Sequence, residues 1–201
     1  MADQDELRRL LDQRNEHPER LADIDRAICD RFTRTLAVLV LDMSGFSRLT
    51  HRYGIVHFLA MIQRMHRVVL PVVSAPQHAG RLLKLEADNV YAVFPDAPLA
   101  VDAAREVQRK LAAANQVLPA DWDLHVCIGI GYGDVLAVGD DEIYGHEMNL
   151  ASKLGEDVGC GGETLLTEAA YERLPLHERT ADRLEATVSN LTIPYYRFVF
   201  G

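Results

Sequence analysis

Thr35 to Asp42 reads TLAVLVLD, a continuous apolar run that stops on a carboxylate. A run this short, rich in branched residues and closed by a turn signal, predicts a buried strand. Met43-Ser44-Gly45-Phe46-Ser47 follows as a loop entering a helix. Phe58, Ile62, Met65 and Val69 then recur at helical spacing, which predicts a helix with a core face over residues 55 to 70. Gly80 opens the next unit: Arg81 to Glu86 reads as a strand, Ala87-Asp88 as a tight turn and Asn89 to Phe94 as the returning strand.

Further along, Pro98 to Ala114 predicts a helix. Leu124 to Gly131 and Val135 to Val138 predict a strand pair across Tyr132-Gly133-Asp134, and Glu147 to Val158 another helix. Leu165-Leu166 reads as a short strand, Thr167 as the cap of a helix running to Leu174, and Tyr195 to Phe200 as the last strand. Strand, helix, hairpin, helix, hairpin, helix, strand is the order of an α+β domain of ferredoxin-like type. Its sheet is expected to be mixed or antiparallel, with helices packed mainly on one face. Residues 1 to 34 stand apart as an N-terminal helical extension, charged and free of glycine, ahead of a domain over residues 35 to 201. After Pro18, the stripe Leu21, Ile24, Ile28 and Phe32 predicts a helix. Packing on the domain is favoured for it over a signalling or dimer role.

The chain has 201 residues, 48% hydrophobic and 25% charged, as a globular protein requires. A net charge of −9 argues against a general nucleic-acid binder, which needs a basic face for phosphates. It leaves room for one small anion in a local basic pocket, and the only lysines are Lys84, Lys110 and Lys153. Cys29, Cys127 and Cys160 show neither zinc spacing nor a disulfide framework, so reduced thiols are expected. The charged start MADQDELRRL does not read as a signal peptide, and no apolar run reaches the ~20 residues that span a bilayer. A cytoplasmic location is the expectation.

The chemistry centres on Asp42 and Asp88. If the strand ending at Asp42 neighbours the hairpin whose tip holds Asp88, the two carboxylates converge. At about 4 Å they would repel by roughly 4 kcal/mol at an effective dielectric of 20. A proton, a base or a cation must offset that, and Mg²⁺ prefers one or two carboxylates completed by substrate phosphates. Ser44 and Gly45 lead into a helix start, where free N–H groups favour phosphate. Taken singly, Asp42 reads better as a helix cap and Asp88 as a turn residue; only together do they point to a metal site.

Three segments carry a family resemblance. Leu41-Asp42-Met43-Ser44-Gly45-Phe46-Ser47 resembles the first metal motif of class III adenylyl/guanylyl cyclases. The stretch from Lys84 to Phe94, KLEADNVYAVF, resembles the second. Glu142 to Lys153, EIYGHEMNLASK, resembles the asparagine-bearing helix. The likeness runs from about Thr35 to Phe200 and implies the class III cyclase fold. It further implies that Asp42 and Asp88, with the Met43 carbonyl, hold two Mg²⁺ or Mn²⁺ ions. Ser44, Gly45, Phe46 and Ser47 would bind phosphate. Lys84 and Glu142 would read the base, with ATP favoured over GTP because a lysine donor suits adenine N1. Asn149 would position the ribose and Lys153 would stabilise the transition-state phosphate. The implied reaction is attack of the ribose 3′ oxygen on the α-phosphate, giving cyclic AMP and pyrophosphate for signalling. The site would form across a homodimer.

The match departs from the family in several places. Lys153 stands where an arginine is usual, which keeps the charge but loses the planar fork. Glu142 replaces the usual Asp or Thr, and Ala87 the glycine before the second aspartate. The C-terminal hairpin lacks the frequent phosphate-binding lysine, Arg197 does not fall at its position, and Asp134 stands where some members carry arginine. The alternative is therefore a catalytically degenerate regulatory module that still binds metal and nucleotide. Elsewhere, Gly139-Asp140-Asp141 reads as a turn. Gly129, Gly131 and Gly133 are expected to let backbone approach backbone or ligand, not to form a dinucleotide fingerprint. The histidines, among them His51, His57 and His146, show no metal spacing.

Overall fold

A computed structural model describes residues 2–119 and 122–200, with the side chains at positions 46–48 outside that description. The strand predicted from TLAVLVLD is β1 (Thr33–Met43), and Ala37 through Leu41 are fully buried. It is followed by α3 (Phe46–Tyr53) and α4 (Ile55–Val73), after the N-terminal α1 (Ala2–Glu16) and α2 (Leu21–Phe32). The hairpin is β2 (Arg81–Glu86) and β3 (Asn89–Phe94), and α5 is Ala97–Asn115. Then come β4 (Val126–Val138), β5 (Glu142–Tyr144), α6 (His146–Ser152) and a π-helical segment, Lys153–Val158. The chain closes with β6 (Glu163–Thr167), α7 (Glu168–Glu172), β7 (Asp182–Val188) and β8 (Leu191–Val199).

The strands form one mixed sheet in the order β2-β3-β1-β4-β6-β8-β7, with β5 paired to β4 off that path. Among the described residues only β4 and β6 pair in parallel. Side chains alternate across β1. Ala37, Leu39, Leu41 and Met43 join the core with Phe58, Met61, Met65 and Val69 of α4 and Val101, Ala104 and Leu111 of α5. Val38 and Val40 face the other way, into a smaller cluster with Tyr91, Val93, Val135 and Ala151. The helical layer is therefore mainly on one face, and α6 with the π segment covers part of the second. Asp96 caps α5 by accepting from Ala97 N–H at 2.9 Å, and Thr167 caps α7 through Ala170 N–H at 3.3 Å.

Several elements differ from expectation. The predicted pair across Tyr132-Gly133-Asp134 is a single thirteen-residue strand, β4. Its glycines mark an approach and not a turn. A Cβ on Gly129 would lie 2.1 Å from the Ala151 carbonyl oxygen, and one on Gly131 2.6 Å from that of Glu147. Asp134 sits opposite Thr35 and accepts its hydroxyl at 2.5 Å. The helix expected over 147–158 is α-helical only to Ser152 and widens to π beyond it, where Gly155 lies against the Val40 carbonyl. The edge strand β7 and the short β5 have no counterpart in the sequence reading; β7 alternates without a strongly apolar face, while α1 lies within the expected N-terminal helical extension. The β7–β8 turn uses Ser189 and Asn190, both with positive φ.

Of the N-terminal stripe, Ile24, Ile28 and Phe32 are buried with Leu7 against Val138 of β4, while Leu21 is exposed. Arg14 holds Asp25 across the two helices at 2.5 Å. Among the described residues no helix is long and apolar enough to cross a membrane.

Because α6 rests on glycine backbone, Gly129→Ala is expected to cost about 3 kcal/mol or more in thermal unfolding. Gly162→Ala, strained at φ 93° but with nothing within 4 Å of the added Cβ, should cost clearly less.

Candidate active site

The antiparallel register of β1 on β3 pairs Leu41 with Val90. Continued outward, it brings the β2–β3 turn level with the end of β1, so Asp88 lies beside Asp42. Ala87 takes φ 53° there, the left-handed backbone that glycine adopts freely, so the turn forms although the side chain is not the usual one. Asp42 is half-buried, opposite Cys127 of β4. Partial burial, then the charges of Asp88 and Glu156, push its carboxyl up to about 7, against a lowering by the Met43 backbone. Asp88 and Glu156 are also raised, chiefly by desolvation.

Glu156 was not foreseen. It belongs to the π segment and accepts from Tyr91 Oη at 3.0 Å, while Asn89 donates to the same oxygen at 3.3 Å. Burial lifts the Tyr91 phenol to about 12. The signal for Tyr91 was available in the period-two alternation of β3, which sets it on the same face as its cross-strand partner Lys84. Nothing in the sequence foretold a π turn.

Lys84 is exposed, paired with Glu86 at 2.6 Å, and its Nζ sits 4.5 Å from the centre of the Tyr91 ring. Arg81 donates to the Asp140 carbonyl, tying β2 to the turn before β5. Between them lies a cavity of about 320 Å³ walled by Lys84, Glu142, Tyr91, Ile143 and Met148 among others. The two residues expected to read a base therefore share one cavity. Neither Asp42 nor Asp88 is among its walls.

Asn149 is exposed on α6, and Lys153, half-buried, opens the π segment. Neither side chain has a hydrogen-bond or ion-pair partner among the described residues. Glu147 fastens α6, accepting from Tyr132 N–H at 3.0 Å and from the Thr167 hydroxyl at 2.7 Å. The expected phosphate loop is partly committed. Ser44 N–H already donates to the His125 carbonyl at 2.8 Å, and Gly45, at φ 97°, caps α3. Phe46 and Ser47 contribute backbone to the first turn of α3, and their side chains lie outside the described residues.

Among the described residues no three His, Cys, Asp or Glu side chains form a closed ligand set. The donors fit a metal that arrives with its substrate: two close carboxylates and the Met43 carbonyl, with remaining positions left to phosphate oxygens. Burial first, and then the charges of Asp88 and Glu156, raise Asp42, and a cation there would stabilise its ionised form against both.

No protein-family model matches the chain. It is 31% identical over 147 residues, 73% of its length, to "Putative adenylate cyclase 3" of Rhizobium meliloti, covering 24% of that protein. It is 28% identical over 149 residues to the serine/threonine-protein kinase pkn2 of Myxococcus xanthus, covering 74% of itself and 18% of the kinase. The chain thus spans a quarter or less of the curated relatives it matches. The adenylate/guanylate cyclase/hydrolase of Silicibacter pomeroyi superposes with a TM-score of 0.69 at 24% identity, over 83% of this chain and 97% of that one.

Asp42 holds its proton more tightly folded than unfolded, where an ordinary value near 4 applies. Between roughly pH 4 and 7 the folded state carries the extra proton, so stability falls as pH rises. In metal-free buffer, Asp42→Asn is expected to exceed the unaltered chain at pH 8 by about 1–2 kcal/mol, allowing for solvent screening, with the gap closing toward pH 4. Thermal unfolding across that range checks it; parallel pH curves would mean that the Asp42 carboxyl is not raised in the folded state.

Proposed function

We propose that this chain, which belongs to the class III adenylyl/guanylyl cyclase catalytic-domain family, converts ATP to cyclic AMP and pyrophosphate. The observation that carries the reading is the coupling of Asp42 to Asp88 at the end of β1, on the sheet face that also bears Lys84. In the reaction the ribose 3′ oxygen bonds to the α-phosphorus, the bond to the pyrophosphate oxygen breaks, and the hydroxyl proton is lost. Divalent metal held by Asp42, Asp88 and the Met43 carbonyl would lower the pKa of the attacking hydroxyl and neutralise phosphate charge.

The remaining work falls to the chain's own groups. Lys84 exchanges Glu86 for adenine N1, and an exposed pair of that kind is worth about 0–1 kcal/mol, so the exchange is cheap. Glu142 accepts from the adenine amino group. Asn149, free on α6, orients the ribose, and Lys153 meets the phosphate as a point charge. The cavity of Lys84 and Glu142 does not include the aspartates of its own chain among its walls, which is compatible with a homodimer in which one copy supplies the metal-binding aspartates and the other the base-reading residues.

A second reading, a nucleotide-binding regulatory module without turnover, is favoured by one feature. Lys153 presents a single ammonium where a forked donor would grip the phosphate, and losing one well-placed donor costs about 10²–10³ in rate.

Mass spectrometry of the products formed from ATP or GTP with Mn²⁺ separates the two. Cyclic AMP from ATP is expected, at a rate that rises in Lys153→Arg; nucleotide binding with no cyclic product would establish the second reading. Asp42→Ala and Asp88→Ala should each lower Mn²⁺-ATP affinity at least tenfold by calorimetry, and unchanged affinity in both would remove the metal assignment.

A further inference from the structure

We propose that Tyr144 is a positioning residue that orients Glu142 and thereby sets the choice between adenine and guanine. This rests on the nucleotide-binding reading above. Glu142 and Tyr144 are the two ends of β5, a three-residue strand, and so lie on one face of it. Tyr144 Oη donates to Glu142 Oε2 at 3.0 Å. The carboxylate in turn makes the phenol harder to ionise, so the hydroxyl remains the donor.

The need for such a contact follows from the length of glutamate. Its three side-chain torsions leave the carboxylate of a short strand free to wander, and ordering a side chain of this size costs up to about 1.5–2 kcal/mol. A donor fixed on Oε2 removes that freedom and leaves Oε1 as an acceptor. Adenine offers an amino donor where guanine offers a carbonyl acceptor. An oriented carboxylate therefore favours adenine. A phenol committed to Glu142 is also withheld from the guanine carbonyl, as the Tyr91 hydroxyl in the same wall is by its bond to Glu156.

Tyr144 is 51% exposed, and its one side-chain hydrogen bond among the described residues is the one to Glu142. It stands in the wall between the cavity of Lys84 and Glu142 and a groove of about 340 Å³ lined by Gln4, Leu7, Arg8 and Leu11 of α1.

The test is calorimetric titration of the full chain with Mn²⁺-ATP and Mn²⁺-GTP, for the unaltered protein, Tyr144→Phe, Glu142→Ala and the double variant, with thermal unfolding in parallel. The unaltered chain should prefer ATP. Tyr144→Phe keeps the ring and should lower the ATP-to-GTP affinity ratio three- to tenfold at an unchanged unfolding midpoint. Glu142→Ala should lower the ratio at least as far, and the double variant no further, because the hydroxyl acts through the carboxylate. A ratio unchanged in Tyr144→Phe but reduced in Glu142→Ala overturns the role of Tyr144 and leaves the base cavity standing. Equal weakening of both nucleotides by Tyr144→Phe marks a merely structural contact and also overturns it. A ratio unmoved by either variant, or no nucleotide binding by the unaltered chain, overturns the underlying reading with it.

Discussion

A carboxylate at the end of a strand buried on both faces has little water to spread its charge into. That is the position of Asp42. β1 is paired on both sides and packed above and below, so its direction is fixed by the core, and it delivers Asp42 to the turn that carries Asp88. The sheet cannot relax to separate them without breaking the β1–β3 register. Two acids held together by a hydrophobic core form a site that is electrostatically unfinished until a proton or a cation arrives. The class III cyclase domain family supplies the context in which that cation comes with a nucleoside triphosphate.

The other half of the arrangement depends on the absence of side chains. Gly129 and Gly131 bare the surface of β4, and α6 and the π segment descend onto it, with Gly155 reaching the Val40 carbonyl. Asn149 and Lys153 are presented by this contact, and Glu156 is turned toward Tyr91. Glu147, bonded to both β4 and the end of β6, locks the helix in place. The same segment that presents Asn149 and Lys153 thus adds a third acid near Asp42 and ties it to the residue beneath Lys84.

Much of this was legible in the sequence. The apolar run before Asp42, the hairpin limits at Arg81–Glu86 and Asn89–Phe94, and the α4 stripe all follow from burial periodicity, which is a local property. β4 was misread because glycines at alternate positions look like a turn until the helix that fills their space is known. The π turn, the Tyr91–Glu156 contact and the commitment of Ser44 N–H to His125 depend on residues far apart in the chain, so no local pattern carries them. β7 is an edge strand whose faces are too polar to announce themselves. Lys84 and Glu142 are named through family resemblance, and their shared cavity joins elements far apart in the chain, near where Arg81 bonds the Asp140 carbonyl.

The central claim is that Asp42 and Asp88 together seat divalent metal for a triphosphate. Anomalous diffraction from crystals grown with Mn²⁺ and a non-cyclisable ATP analogue tests it most directly. The account predicts manganese peaks in contact with both carboxylates and with phosphate oxygens of the analogue. Bound nucleotide with no manganese at Asp42 and Asp88, or manganese seated on other residues, would contradict it.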